Sequence, residues 1–279
     1  MLKAFSLSKL LPRLPMVIVG AALLFLFFSA AFPSAVSPYS YKEQFARDAL
    51  HPPSSKYWLG TDQLGRDIFS RLIHGTRVVI VVGIGSVLLA MLVGVPLGLI
   101  AGYYGGQIDA IIMRIQDAIL SFPVVLLALL IIASFGASTL NVILSIAFVY
   151  VPRFARLVRG SVMDLKNREY VWASQVAGAS DWRVLSMVIL PNAVGPIIVQ
   201  ATLGIAVAIL IEAGLSYLGL GVQPPTPSWG NMLQHAQSYI YQAPWFVLAP
   251  GFMIFLAVLV FNLAGDWLRE WLDPRLRQI

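Results

Sequence analysis

Six apolar segments divide this chain, near residues 16–32, 78–102, 118–135, 141–158, 192–215 and 246–265. Each is close to the ~20 mostly apolar residues that carry a helix across a bilayer. Charged residues make up only 11% of the sequence against a hydrophobic share of 58%. A soluble domain carries about 25% charged residues, so this chain has too little charge to cover a water-facing surface of its size. The apolar excess must face lipid or partner subunits. The reading is an all-α, polytopic membrane protein with about six transmembrane helices.

The even spacing of the segments favours one folding unit. Within it, residues 1–77 form an N-terminal helix with an external loop. Residues 78–279 form a transmembrane core that carries a cytoplasmic loop at 161–190. Lys3, Lys9 and Arg13 precede the first apolar run, as in a signal peptide. The run is longer than a usual signal core and further spans follow, which makes it an uncleaved first helix. Ile111 to Asp117 reads as a helical extension into the third span, which Pro123 bends or restarts. Gly94, Gly98 and Gly102 put a small-xxx-small face on the second span, suited to close helix packing.

Three polar segments, 33–77, 159–191 and 216–245, separate the spans. Lys and Arg collect on cytoplasmic loops. With the N-terminus inside, the cytoplasmic parts hold Lys3, Lys9, Arg13, Arg114, Arg153, Arg156, Arg159, Lys166, Arg168, Arg183, Arg269, Arg275 and Arg277, 13 of the 19 basic residues. The other six fall in 33–77 and are partly balanced by Glu43, Asp48, Asp62 and Asp67. The bias favours both termini in the cytoplasm, with 33–77 and 216–245 outside. It also accounts for the net charge of +6 without nucleic acid, for which no basic patch is present.

The sequence offers no catalytic constellation. There is no cysteine, so disulfides, thiolate metal sites and cysteine catalysis are excluded. His51, His74 and His235 lie in separate polar segments without metal-ligand spacing. Gly102-Tyr103-Tyr104-Gly105-Gly106 is a turn, without the Lys-Ser/Thr of a phosphate loop. No cofactor is expected on this chain.

Charges near the spans are more informative. Glu212 sits in Ile209-Leu210-Ile211-Glu212-Ala213, and an acid at mid-membrane costs about 2.5–3.5 kcal/mol on insertion scales. It is either a gate or pathway residue, or a helix-end acid hydrogen-bonded for packing. Asp117 has Arg114 at i,i+3, and Asp266 has Arg269; both read as structural ion pairs near the membrane surface.

Segment 159–191 is the most distinctive. Two helical stretches flank Gly178, and the first places Tyr170, Val171, Ser174 and Val176-Ala177 along one side. Small residues around a glycine turn let another backbone come close, and a 30-residue loop with internal helical pattern is more than a linker.

Tyr170-Val171-Trp172-Ala173-Ser174, Gly178-Ala179-Ser180 and Ile189-Leu190-Pro191-Asn192 resemble the "EAA loop" of permeases in binding-protein-dependent ABC importers. Trp172 stands where the founding pattern has Glu, and Ser174 replaces its second Ala. Trp58-Leu59-Gly60-Thr61-Asp62-Gln63-Leu64-Gly65-Arg66-Asp67 with Gly75-Thr76-Arg77 is similar to the segment before the second helix of dipeptide, oligopeptide and nickel permeases. Leu215-Ser216-Tyr217-Leu218-Gly219-Leu220-Gly221, Pro224 to Gly230, and Asn262 to Arg269 with Asp273-Pro274-Arg275 continue the match. The branch resembled is the dipeptide C-type subunit.

The resemblance implies a type I ABC importer permease fold in a bacterial inner membrane. It implies a homologous second permease, two ATPase subunits that bind ATP and Mg, and an extracytoplasmic substrate-binding protein. ATPase coupling would fall on Tyr170, Trp172, Ala173, Ser174, Gly178, Leu190 and Pro191, and the path on Glu212. The cargo implied is a di- or oligopeptide, with nickel or a metal complex as the alternative. A secondary transporter is the alternative from another class; it needs a relay of buried ionisable groups, for which only Glu212 offers itself.

Overall fold

The computed structural model describes residues 14–272. Lys3, Lys9, Arg13, Arg275 and Arg277, which entered the charge count, and Asp273-Pro274 lie outside the described residues. Helix α1 (Leu14–Ala31) is followed by a short α2 (Pro33–Val36). Residues 37–67 are irregular apart from one 3-10 turn at Ala46–Asp48. Then come α3 (Ile68–Tyr104), α4 (Gly106–Leu120), α5 (Val124–Phe135), α6 (Thr139–Leu165), α7 (Glu169–Val176), α8 (Asp181–Arg183), α9 (Leu190–Tyr217), α10 (Trp229–Ala236) and α11 (Pro244–Leu272). Among the described residues the only β pairing is an isolated antiparallel bridge between Thr61 and Asp67.

Every expected apolar segment falls on a helix. Four helices are long and apolar enough to cross a membrane on their own: α3, α6, the continuous helix Asp181–Tyr217, and α11. The third expected span is not straight. Its halves α4 and α5 meet at 87° around Ser121-Phe122-Pro123, so they make at most one broken span. Pro123 caps the second half; its missing N–H and fixed φ start a helix but cannot continue one. Helix α1 reaches about 27 Å at ~1.5 Å per residue, just under the ~30 Å hydrocarbon core. The described helices thus give four or five spans by length, and α1 supplies the sixth apolar segment.

Sequence-local signals set the helix starts. Asp67 opens α3 by accepting from the Ser70 amide at 2.8 Å and the Ser70 hydroxyl at 2.6 Å. Ser138 opens α6 through the Asn141 amide, and Ser228 opens α10 through the Asn231 amide, both at 3.1 Å.

The expected glycine face carries the tightest helix contact. A Cβ on Gly94 would lie 2.7 Å from the Val151 carbonyl oxygen. On Gly98 it would lie 2.5 Å from the Ala155 oxygen, and on Gly102 2.7 Å from the Val162 Cβ. Helices α3 and α6 therefore meet backbone to backbone along three turns. Tyr150, Phe154 and Ile146 of α6 are fully buried beside this seam.

The polar segments sort to opposite ends of α3. At the Ile68 end sit 37–67 and the loop after α9. There Trp229, fully buried, donates from Nε1 to the Leu72 carbonyl at 2.9 Å. The Trp229 ring leaves no room for a side chain at Gly75. Asp62, also fully buried, organises 37–67. Its carboxylate accepts from the Leu64 amide (2.9 Å), the Arg66 amide (3.0 Å) and Arg66 Nε (2.6 Å), with Arg71 Nε at 3.5 Å. Lys56 bonds Asp48 at 2.9 Å, and this partner and Tyr57 hold the Asp48 carboxyl below its ordinary range. At the Tyr104 end gather α4, the end of α6, α7 and the start of the helix after Gly178.

Candidate coupling segment

Helix α7 ends in a geometry that only the backbone can explain. The Gly178 amide donates to the Gln175 carbonyl at 2.9 Å, and the Ala179 amide donates to the Ser174 carbonyl at 3.1 Å. These two bonds close a Schellman turn, which needs a left-handed residue at Gly178, where φ is +82°. Ser180 then caps the next helix through the Arg183 amide at 3.4 Å. Helix, glycine turn and restart are as the sequence implied.

Two details differ from expectation. The stretch after Gly178 is not a separate short helix. From Asp181 it runs through a wider π-type turn at Val184–Ile189 into α9, giving one helix, Asp181–Tyr217. Leu190 and Pro191 thus lie inside a continuous rod, because Pro191 at the start of α9 costs little where the wider turn already lacks regular bonds. Also, Tyr170, Val171, Ser174 and Val176-Ala177 do not share one environment. Val171 is fully buried and belongs to the same apolar cluster as Val162, Val184 and Leu185, while Tyr170 is 44% and Val176 89% exposed. Val171 is the one fully buried side chain of α7, which packs on the Val184–Ile189 turn; its other residues are exposed or half-buried. Trp172, Ala173 and Gly178 are exposed and Ser174 half-buried. Trp182 and Met187, which sequence reasoning passed over, extend this exposed apolar surface at 77% and 73%.

The segment is tied to α3 as well as to its own flanking helices. Gln175 Nε2 donates to the Tyr103 hydroxyl at 3.2 Å, and that hydroxyl donates to Asp181 Oδ1 at 2.7 Å. Tyr103 thus joins both sides of the Gly178 turn. Lys166 Nζ donates to the Gly102 carbonyl at 2.9 Å. The end of α6 is also clamped to α4. Arg159 makes a two-pronged bond to Asp109 (2.5 and 2.6 Å), and Arg156 bonds Asp117 at 2.6 Å. Asp117 therefore pairs across helices rather than with Arg114 at i,i+3. The packing of α4 on α6 puts the Arg156 guanidinium within reach. Among the described residues, Asp266 and Arg269 form no ion pair. Neither expected i,i+3 pair forms: Asp117 takes a partner from another helix, which spacing along one helix cannot show.

Glu212 is fully buried near the opposite end of the molecule. Ser216 Oγ donates to Glu212 Oε1 at 2.6 Å and accepts from the Val222 amide at 3.3 Å. Glu212 Oε2 has no hydrogen-bond partner. The Glu212–Ser216 pair holds the loop that returns from α9. A Cβ on Gly221 would overlap Ser216, and one on Gly230 would lie 2.2 Å from the Ala213 carbonyl oxygen. Among the described residues no group of three or more His, Asp or Glu is placed to hold a metal ion.

Residues 94–278 match the family described as the binding-protein-dependent transport system inner membrane component. The chain is 46% identical over 261 residues to the di/tripeptide transport system permease protein DppC of Pseudomonas aeruginosa, covering 91% of this chain and 86% of that protein. It is equally identical to the dipeptide transport system permease protein DppC of Alkalihalophilus pseudofirmus (96% and 89% covered). The same identity holds for the glutathione transport system permease protein GsiD of Pectobacterium atrosepticum (94% and 87%). Among solved structures, the fold is similar to a chain of the inward-facing MetNI methionine ABC transporter. The TM-score is 0.61 at 17% identity, over 73% of this chain and 96% of that one. The arrangement of α3 to α11 is thus an ABC-importer permease fold, and the chain belongs to the family of binding-protein-dependent transport system inner membrane components.

Proposed function

We propose that this chain is the translocating permease subunit of an ATP-driven importer of di- and oligopeptides. The observation that carries the cargo is the 46% identity over nine-tenths of the chain to a di/tripeptide permease, with the glutathione permease pointing to the same class. ATP and Mg are bound by two separate ATPase subunits. A homologous permease completes the path, and an extracytoplasmic binding protein delivers the peptide to the Ile68 end of α3. Both termini are cytoplasmic in a bacterial inner membrane; the Lys/Arg distribution supports this orientation.

In this reading residues 1–77 form the N-terminal helix and external segment, and 78–279 form the core. Segment 161–190 is the coupling element. Tyr170 and Trp172 are anchors for an ATPase groove. Ala173, Ser174 and Gly178 permit close backbone approach, and Leu190 and Pro191 pass the motion into α9. What supports this is a helix pinned by Val171, exposed on its other sides, and bonded through Tyr103 to α3. Glu212 serves the same importer from the opposite end, as the buried acid that fixes the loop after α9; its full burial and Ser216 bond support that role over lining the path.

The test is reconstitution of the four membrane subunits with the binding protein in proteoliposomes. Radiolabelled Ala-Ala should accumulate only with ATP and with this chain present. A photocrosslinker at Ala173 should capture an ATPase subunit, and one at Tyr241, fully exposed in the 216–245 segment, should not. Capture from Tyr241 alone would reverse the orientation; ATP-independent uptake would reject the importer class.

A further inference from the structure

A second feature lies at the Ile68 end of α3, away from the coupling segment. A cleft of about 310 Å³ opens there between Tyr41, His74, Arg77, Thr139, Thr226 and Pro227. Its size falls at the low end of the ~300–1,000 Å³ of small-molecule sites. Four separate parts of the chain build it: the segment before α3, the N-terminal turns of α3 itself, the start of α6, and the end of the loop between α9 and α10.

The lining is one-sided in chemistry. It offers a guanidinium, an imidazole and three hydroxyls, and no carboxylate. Val78 and Val81 supply an apolar wall. The two arginines of α3 differ sharply. Arg71 is buried against Asp62, whereas Arg77 is exposed and makes no ion pair or hydrogen bond among the described residues. His74, one helical turn before Arg77 and on the same face, is held in place from outside the cleft. Its Nε2 lies 3.3 Å from Ser37 Oγ, and its ring sits 4.8 Å from that of Tyr41. The Tyr41 backbone is fixed in turn by Arg71 Nη1, which donates to its carbonyl at 3.1 Å.

We propose that this cleft is a binding site for the free C-terminal carboxylate of the peptide, with Arg77 as its charged partner and Tyr41, Thr139 and Thr226 as hydroxyl donors. The inference rests on the peptide-import reading. A guanidinium fork matches a carboxylate and discriminates it from the uncharged amide. The arginine is already released from internal pairing, and its neighbours are braced before any ligand arrives. The apolar wall of Val78 and Val81 suits the side chain next to the carboxylate. The absence of acidic lining leaves the peptide's amino end unrecognised here, so peptides of different length share the site.

The test uses the complete transporter in proteoliposomes. The probe is the photoreactive dipeptide p-benzoylphenylalanyl-alanine, compared with its C-terminal carboxamide, with label counted on this chain alone. The free-acid probe should label residues flanking the cleft, and unlabelled Ala-Ala should compete. In Arg77→Gln the half-competing concentration should rise roughly tenfold, the size expected for losing a charge-assisted bond, and Arg77→Lys should recover part of it. The carboxamide should label weakly and equally in all three. Equal labelling by acid and amide, or no change in Arg77→Gln, overturns the site. So does a change in retained lipid phosphate with peptide labelling intact, since the cleft would then hold a headgroup. If Arg77→Gln fails to assemble, Thr139→Val gives the same comparison through the hydroxyl donors. Wild-type transporter that does not import the peptide at all rejects the peptide reading and this site together; normal import with unchanged labelling in the variants rejects only the site.

Discussion

The hydroxyl of Tyr103 donates to Asp181 at 2.7 Å, joining the last turn of α3 to the first residue of the helix beyond Gly178. Gln175, on the near side of the glycine, donates to the same oxygen at 3.2 Å. A push on the Gly178 turn therefore loads α3 directly, in addition to the covalently attached α6 and α9. Tyr103→Phe keeps the ring and removes both bonds. Transport per ATP hydrolysed should fall several-fold while assembly is preserved. Asp181→Asn should give a smaller loss, and the double variant should match Tyr103→Phe. Additive losses in the coupling ratio would show that the two residues act separately.

At Gly178 the demand is conformational. Its φ of +82° is a region that side-chain-bearing residues enter at a cost of about 1–2 kcal/mol. A Cβ there meets nothing within 4 Å. Gly178→Ala should therefore leave membrane insertion intact and weaken ATPase docking about tenfold, while Gly178→Asn, which tolerates left-handed backbone, should be milder. Equal affinities for the ATPase in pull-down titrations would remove the turn from the coupling element.

The glycine seam makes the opposite kind of prediction. At Gly98 the backbone is ordinary helix, but a Cβ would press on the Ala155 carbonyl from 2.5 Å. Gly98→Leu should separate α3 from α6 and lower the thermal transition of the purified complex, with a cost of at least 1–3 kcal/mol from overpacking. Gly160→Ala, in ordinary helix with nothing within 4 Å of the added carbon, should change it far less. Thermal transitions followed by size-exclusion chromatography check both.

Asp62 binds two buried or near-buried arginines and two amides. Removing one member of such a set strands charge, with a typical cost of about 3–5 kcal/mol. Asp62→Asn should expose 37–67 to limited proteolysis in intact spheroplasts, with the helices still inserted. Protease resistance equal to wild type would mean that Arg66 and Arg71 find other partners.

For Glu212, substitution distinguishes packing from transport. Glu212→Gln retains an acceptor for Ser216 and should assemble and transport near normally. Glu212→Ala should lose the anchor of the loop after α9 and reduce the yield of assembled complex. A Glu212→Ala transporter that assembles fully but imports poorly would place the acid on the path instead.

The sequence by itself determined the class of fold and the position of its helices. Apolar run length, Asp and Ser caps, the Gly178 turn and the Gly94-Gly98-Gly102 face are local properties, and local chemistry dictates them. Even the bend at Pro123 follows from one ring and one missing N–H. What only the tertiary structure decided is partnership. The i,i+3 spacing suggested Arg114 for Asp117, but the packing of α4 on α6 brings Arg156 to it instead. The apolar pattern could not say that Val171 alone is buried in α7, because that depends on how α7 packs against the Val184–Ile189 turn. Neither Tyr103 nor Arg77 announces itself in the sequence. Tyr103 gains its role from a partner 78 residues away. Arg77 is distinguished from Arg71 by the acid it lacks, since the geometry of 37–67 delivers Asp62 to the earlier arginine and leaves the later one open.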